Sequence, residues 1–297
     1  MKFPSVGILL VNYNGSKDTI ECINSLKNNK YQNYKIIIVD NNSSYSDYKE
    51  IEKYIKENNL DIELIRLEKN LGFAGGNNIG IKYAIEELNC DYVLLINNDT
   101  LVDESFLNEL VNKSESSTEI GIATSKIFYY PERNKIWYAG GKIDWFKFTS
   151  IHFGEKEYDD EKYNKDAEVD FISGCVMLIK KSVIEEVGYL PEEYFMYYED
   201  FDYCIKVRDK GFKLAYVSKS KVYHKISAST GGEESAFSLE YGSRNRKLLL
   251  KKYKDRIGFN RYILSIFYYY VTRIIKLIKF YFKGEKDKCN AIISGMK

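Results

Sequence analysis

Short apolar runs alternate with longer amphipathic stretches through the first 120 residues, the pattern of a parallel sheet with crossover helices. Strands are predicted at residues 6–12, 35–39, 62–67 and 92–96, and helices at 17–28, 45–58 and 76–88. In the last helix Ile79, Tyr83 and either Ala84 or Ile85 fall on the inward face at helical spacing. A fourth helix is expected after Asp103, placed to cap it. Less regular runs at 121–128, 135–139 and 175–179 read as strands of antiparallel character. Residues 200–210 read as a helix ended by Gly211 and followed by a strand at 213–217. The fold class is α/β, with a mostly parallel sheet followed by a mixed region.

Polar loops sit where these strands end, and open α/β sheets bind ligands outside the carboxyl ends of their strands. The loops are Asn12-Tyr13-Asn14-Gly15, Asp40-Asn41-Asn42-Ser43-Ser44, the glycine-rich stretch from Asn70 to Asn78, and Asn97-Asn98-Asp99-Thr100. Each alone is ordinary turn chemistry, but four along one sheet edge point to a ligand site. Asp99 at a strand end is placed to hold a cation. The cluster Tyr198-Glu199-Asp200-Phe201-Asp202 lies 101 residues further on from Asp99 to Asp200 and can supply a base, which together suggest metal-assisted group transfer.

Gly72, Gly75 and Gly76 follow the third strand and do not form GxGxxG after the first, which argues against a nicotinamide dehydrogenase. These glycines either bring backbone N–H groups to a phosphate or sugar, or serve a tight turn and helix packing. The loop after strand one lacks the glycine-rich basic character of a nucleotidylyltransferase. Asp40 is placed to accept hydrogen bonds from a base or ribose, or to cap a helix. His224, one of 2 histidines, is either structural or a partner of Asp99 at a cation.

The length of 297 residues, 29% charged and 44% hydrophobic, is that of a globular α/β domain with or without an appendage. Only 3 prolines argue against long disordered linkers, and the 5 cysteines include no CxxC pair, so neither a disulfide framework nor a thiolate metal site is expected. A reducing cytoplasmic setting follows, since the run from Val6 to Val11 is too short for a signal peptide. The net charge of +1 conceals an asymmetry: from Tyr241 to Lys297 there are 15 Lys and Arg against 3 Asp and Glu, leaving −11 for residues 1–240.

Asn12-Tyr13-Asn14, Val39-Asp40-Asn41-Asn42-Ser43, Asn70 through Asn77, Asn97-Asn98-Asp99, Ser173-Gly174, Glu199-Asp200-Phe201-Asp202 with Arg208, and Val222-Tyr223-His224 occur in this order. That ordered set, spread over about residues 4–250, resembles the family 2 inverting glycosyltransferases, closest to the bacterial rhamnosyltransferase-like branch. The resemblance implies a GT-A fold, with a nucleotide-sugar-binding half at about 1–120 and an acceptor-binding half at about 121–240. It implies a UDP-sugar or dTDP-sugar donor, contacted by Tyr13, Asp40, Asn41, Gly72, Gly75, Asn77, Asn98 and Gly174. Asn97, Asp99 and His224 would hold Mg²⁺ or Mn²⁺, and Asn97 departs from a fully acidic metal motif. Asp200 would be the catalytic base, its pKa raised by Glu199 and Asp202 and offset by Arg208. The acceptor would be a glycan or lipid-linked oligosaccharide hydroxyl in surface polysaccharide assembly, and the sugar rhamnose or another hexose.

Residues 241–297 read as a basic, amphipathic, helical extension whose apolar run from Tyr262 to Val271 is about half of what a spanning helix needs. Such a segment suits an anionic membrane surface at the inner face of the cell membrane, or packing against the protein or a second copy in a homodimer. Nucleic acid is not an expected partner, because the body is acidic and the tail carries no recognition module. Two other functions remain: a sugar-nucleotide nucleotidylyltransferase, or a non-catalytic nucleotide-sugar or glycan binder that Asn97 makes conceivable.

Overall fold

β-Branched and leucine side chains crowd the first strands because a sheet covered on both faces has room only for apolar groups; Val6, Ile8, Leu9 and Leu10 are all buried. The structure is a computed structural model and describes residues 3–226 and 234–297. The amino-terminal half runs β1 (Val6–Asn12), α1 (Ser16–Lys27), β2 (Tyr34–Asp40), α2 (Tyr45–Glu57), β3 (Ile62–Arg66), α3 (Gly72–Lys82), β4 (Tyr92–Ile96), β5 (Thr100–Val102) and α4 (Phe106–Glu115). Then follow β6 (Ile120–Tyr129), β7 (Ile136–Tyr138), β8 (Gly141–Asp144), β9 (Thr149–His152), β10 (Ala167–Val169), β11 (Val176–Lys180), α5 (Lys181–Val187), α6 (Glu199–Asp209) and β12 (Lys213–His224). Four helices close the chain: α7 (Ala236–Lys252), α8 (Lys254–Ile257), α9 (Phe259–Phe282) and α10 (Lys286–Met296).

The main sheet has the order β10-β12-β6-β11-β4-β1-β2-β3. β1 lies parallel between β2 and β4, and its register sets Asn12 opposite Asp40, so the ends of the strands are level. β11 runs antiparallel to β4 and β6, while β12 runs parallel to β6, which gives the expected mixed region. β12 is longer than its pattern predicts, because the polar stretch Ser218 to Lys221 hides a strand whose irregularity falls between Val217 and Lys221. Ser220 is buried there and satisfied by Ser125 and the Phe106 carbonyl. The far end of β12 pairs with β5, Val222 against Val102 and His224 against Thr100, which carries the histidine to the fourth loop.

α3 begins at Gly72, earlier than residue 76, and passes into a π-helical turn at Tyr83–Glu87. Its buried face is Ala74, Ile81 and Ala84; Ile79, Tyr83 and Ile85 are only half-buried. Small residues let the helix lie close on β1, since a Cβ on Gly76 or Gly80 would come within 2.9 Å of Val11 or 3.1 Å of Leu9. Asp103 shapes the turn ahead of α4 by accepting from Ser105 N and Oγ and is not its cap.

Leu249, Leu250 and Tyr269 join the central core, and Leu239, Phe280, Ala291 and Ile292 form a smaller one among α7, α9 and α10. The division expected at residue 240 therefore falls inside α7. α9 buries Ser265, Tyr269, Arg273 and Phe280 and exposes the opposite face, including Ile263, Phe267, Ile274 and Ile278. Among the described residues no helix is long and apolar enough to cross a membrane.

Candidate active site

Three strand ends meet in a polar network. Asn12 donates through Nδ2 to Asp40 Oδ1 (3.0 Å), Ser43 Oγ (3.0 Å) and Asp47 Oδ2 (2.9 Å), and accepts from Thr19 through Oδ1. Asp40 is 0% exposed, with its second oxygen receiving Ser43 N–H and facing Arg66 at 3.7 Å. It holds the loop in shape, and a direct contact with a base or ribose requires one of these partners to give way. Tyr13 turns its ring outward on this edge, 43% exposed.

Asn41 fixes the glycine-rich loop: its Oδ1 accepts Leu71 N–H and its Nδ2 reaches Asn70 Oδ1 and the Gly72 carbonyl. Gly72 stands at φ +74°, where a Cβ would lie 2.1 Å from the Phe195 carbonyl oxygen, and Phe73 N–H donates to that oxygen at 2.7 Å. Gly75 and Asn77 are buried, Gly75 against Leu71 and Asn77 donating to the Phe73 carbonyl on its own helix. In this structure these residues serve backbone turn and packing.

The fourth loop gathers the metal candidates. Asp99 Oδ1 lies 3.1 Å from His224 Nε2, and the Asn97 amide nitrogen lies 3.4 Å from the same ring atom. Asn98 turns the other way, donating to Thr19 Oγ1. Burial alone would depress the His224 pKa, but the adjoining Cys175 thiol and Asp99 carboxylate hold it up at about 10. Burial works against ionised Asp99 too, and His224 reverses this, so the carboxyl falls below its ordinary range. Together His224 and Asp99 form an imidazolium–carboxylate ion pair.

A divalent cation fits this set on the chemistry of its donors. One carboxylate oxygen and one imidazole nitrogen lie close enough to share an ion, and half a turn of the Asn97 amide adds its oxygen. Among the described residues no group of three His, Cys, Asp or Glu side chains stands ready to hold a metal. Three protein donors of which one is a neutral amide leave places for oxygens from a bound diphosphate.

Asp200 lies in the first turn of α6, with Oδ2 accepting from Gly174 N–H at 2.9 Å and Oδ1 from Phe201 N–H at 2.7 Å. A Cβ on Gly174 would press against the Phe73 ring at 3.1 Å, so the loop must approach bare. Burial raises the Asp200 pKa, opposed by the two backbone donors. Two of the expected influences on that pKa are corrected: Asp202, expected to raise it, is fully buried and bound by Lys252 (2.7 Å) and the Tyr253 hydroxyl, and Arg208, expected to offset it, pairs with Asp170 (2.8 Å). Glu199 is buried with one oxygen unpartnered, and burial and then Asp200 push its pKa well up, which favours its neutral form.

Sequence reasoning missed the two joints of this site. Residues Gly174 and Cys175 are consecutive: Gly174 N–H holds Asp200, and the Cys175 carbonyl receives Asn97 N–H at 3.0 Å. The segment leading into α6 carries Phe195, Tyr197 and Tyr198 at φ of 62°, 68° and 75°, a strained path for bulky residues. Asn245 of α7 clamps it, donating to the carbonyls of Tyr194, Met196 and Tyr197. Only the Arg244-to-Lys247 polar cluster inside an otherwise leucine-rich helix signals this in the sequence.

A family model described as glycosyl transferase family 2 matches residues 7–188. The low-salt glycan biosynthesis hexosyltransferase Agl10 of Haloferax volcanii is 28% identical over 276 residues, covering 91% of this chain and 84% of that protein. The poly-beta-1,6-N-acetyl-D-glucosamine synthase of Staphylococcus aureus strain MSSA476 is 31% identical over 229 residues, 76% of this chain and 51% of the relative. The chain thus spans about half the length of that relative. Among solved structures, GalNAc-T7 with UDP, GalNAc and Mn²⁺ superposes with a TM-score of 0.67 at 18% identity, over 86% of this chain and 49% of the other. S. aureus TarS gives a TM-score of 0.55 at 17% identity, over 83% and 39%. At these identities the two structures speak to the fold alone.

Proposed function

The chain belongs to glycosyl transferase family 2 and has the GT-A fold, and from that premise we propose that it is an inverting, metal-dependent hexosyltransferase. The donor is a nucleoside-diphosphate sugar, and the acceptor is a hydroxyl of a growing glycan. The observation that carries this reading is the Gly174–Cys175 joint, which fastens Asp200 and Asn97 to neighbouring residues and so sets a base beside a cation-binding loop.

Asn97, Asp99 and His224 are the residues that would hold Mg²⁺ or Mn²⁺. When bound, the ion supplies the Lewis acidity that neutralises charge on the departing diphosphate. Asp200 takes the proton from the acceptor hydroxyl as that oxygen attacks the anomeric carbon from the face opposite the leaving group, and a single displacement inverts the centre. Burial makes Asp200 a stronger base than a surface aspartate, and neutral Glu199 beside it adds no second negative charge. The loops of Tyr13, Asp40, Asn41 and Asn98 shape the nucleotide side.

The hexosyltransferase and synthase names of the relatives, and the UDP in GalNAc-T7, favour a UDP-hexose. dTDP-rhamnose belongs in the same panel. The test is transfer or donor hydrolysis with Mn²⁺ across UDP- and dTDP-sugars, for wild type and Asp200→Asn. Loss of turnover by about 10²-fold or more with nucleotide binding intact supports the role of Asp200, and full activity in the variant removes it.

A further inference from the structure

Two arginines lie buried in the carboxy-terminal helices without an acid. Arg246 of α7 is 4% exposed and Arg273 of α9 is 9% exposed. Arg246 donates through Nε to the Lys147 carbonyl, and Arg273 through Nη1 to Ser243 Oγ. Among the described residues, Arg246 Nη2 and Arg273 Nε have no hydrogen-bond partner and neither guanidinium has a carboxylate within 4.0 Å. Both stand near the Tyr269 ring, at 5.7 Å each, and Lys276 is half-buried on the same helix as Arg273. Burial and then the Arg273 charge lower the pKa of Lys276, with Arg246 adding to this and the Glu234 carboxylate opposing it.

Buried charges are ordinarily paired, and removing the partner from such a pair is strongly destabilising. Two buried guanidiniums with free donors are therefore incomplete without an anion, and the Glu234 carboxylate that tempers Lys276 is engaged by Lys279. Guanidinium forks match phosphate oxygens, and three positive groups match a charge of two or more. The cluster also borders the reacting end of the protein. Asn245, next to Arg246, holds the carbonyls of residues 194, 196 and 197, and the Tyr198 side chain, two residues before Asp200, lies within the field of both arginines.

We infer that Arg246 and Arg273, with Lys276, form an anion site that holds a phosphate or diphosphate of the acceptor beside the start of α6. This rests on the transferase reading for its role, though not for its chemistry. The source favoured is an amphiphilic phosphate, because α9, which buries Arg273, turns Ile263, Phe267, Ile274 and Ile278 outward.

The test is thermal unfolding in EDTA, with inorganic diphosphate or farnesyl diphosphate added to wild type, Arg246→Met and Arg273→Met. Wild type should be stabilised by several degrees by either compound, and more by the farnesyl one. Each Met variant, relieved of an unpaired buried charge, should melt at or above the ligand-free wild type and respond to neither compound. Asp99→Asn should keep the response, which separates this site from the donor's metal loop. Equal shifts with both compounds would assign the site to a water-soluble phosphate compound. No shift in wild type, or undiminished shifts in both Met variants, overturns the site. UDP binding with Mn²⁺ is measured alongside: its absence in wild type would count against the transferase reading while leaving the anion site standing.

Discussion

Gly72→Ala tests how the glycine-rich loop and the Asp200 segment depend on each other. The added Cβ would stand 2.1 Å from the Phe195 carbonyl oxygen and 2.7 Å from its ring, at a residue with φ +74°. The left-handed conformation costs an alanine about 1–2 kcal/mol, and forced overpacking about 1–3 kcal/mol more. The total, about 2–5 kcal/mol, corresponds to a melting-point loss of roughly 4–10 °C at about 2 °C per kcal/mol for a chain of this size. Gly211→Ala isolates the first contribution, because Gly211 has φ +88° and nothing within 4 Å of its Cβ position. It should lose only about 2–4 °C. Relief of the clash moves Phe195, and with it the strained residues before Asp200, so turnover well below the melting point should fall by about 10²-fold in Gly72→Ala. Calorimetric melting and initial-rate assays of both variants decide it. If Gly72→Ala melts no lower than Gly211→Ala, the Phe195 contact does not bear on stability, and the coupling argument fails with it.

Other predictions concern protons. Glu199 has a raised pKa in the fold, so its contribution to stability is present below the ordinary glutamate value and lost as pH rises through the folded one. Glu199→Gln should therefore melt above wild type at pH 8 with the gap closing by pH 4; a constant gap would sink the assignment. His224, at about 10 in the fold against 6.5 unfolded, contributes stability fully below 6.5 that is lost between 6.5 and 10. Mn²⁺ must displace that proton, so calorimetric Mn²⁺ affinity in the presence of nucleotide should rise by about tenfold per pH unit in this window, and a flat profile refutes the His224 ligand. The acid limb of the pH–rate profile should lie above the ordinary aspartate value, since burial raises Asp200; a limb at or below it would argue for a different base.

Local patterning was enough for the doubly covered sheet: β1, β2, β3 and β4 lie within a residue of where alternation and apolar runs place them, because each is satisfied by its own composition. The loops at their ends were legible for the same reason, since Asn, Asp and Gly are turn residues wherever they occur. What each loop residue does was not. Asp40 is a buried hub because Asn12, Ser43 and Arg66 close on it, and Gly75 packs on Leu71; burial is a property of neighbours that arrive from elsewhere.

The sequence by itself determined the fold class, the amphipathic basic end and the residue types available for chemistry, all of which follow from composition and short-range period. Only tertiary structure decided the pairings. His224 meets Asp99 because β12 pairs with β5, Asp200 meets the Asn97 loop through Gly174 and Cys175, and Asp202 and Arg208 turn to Lys252 and Asp170 instead of the base. The two unpaired arginines also became visible only there, for an arginine in a sequence is solvated until a fold takes its water away.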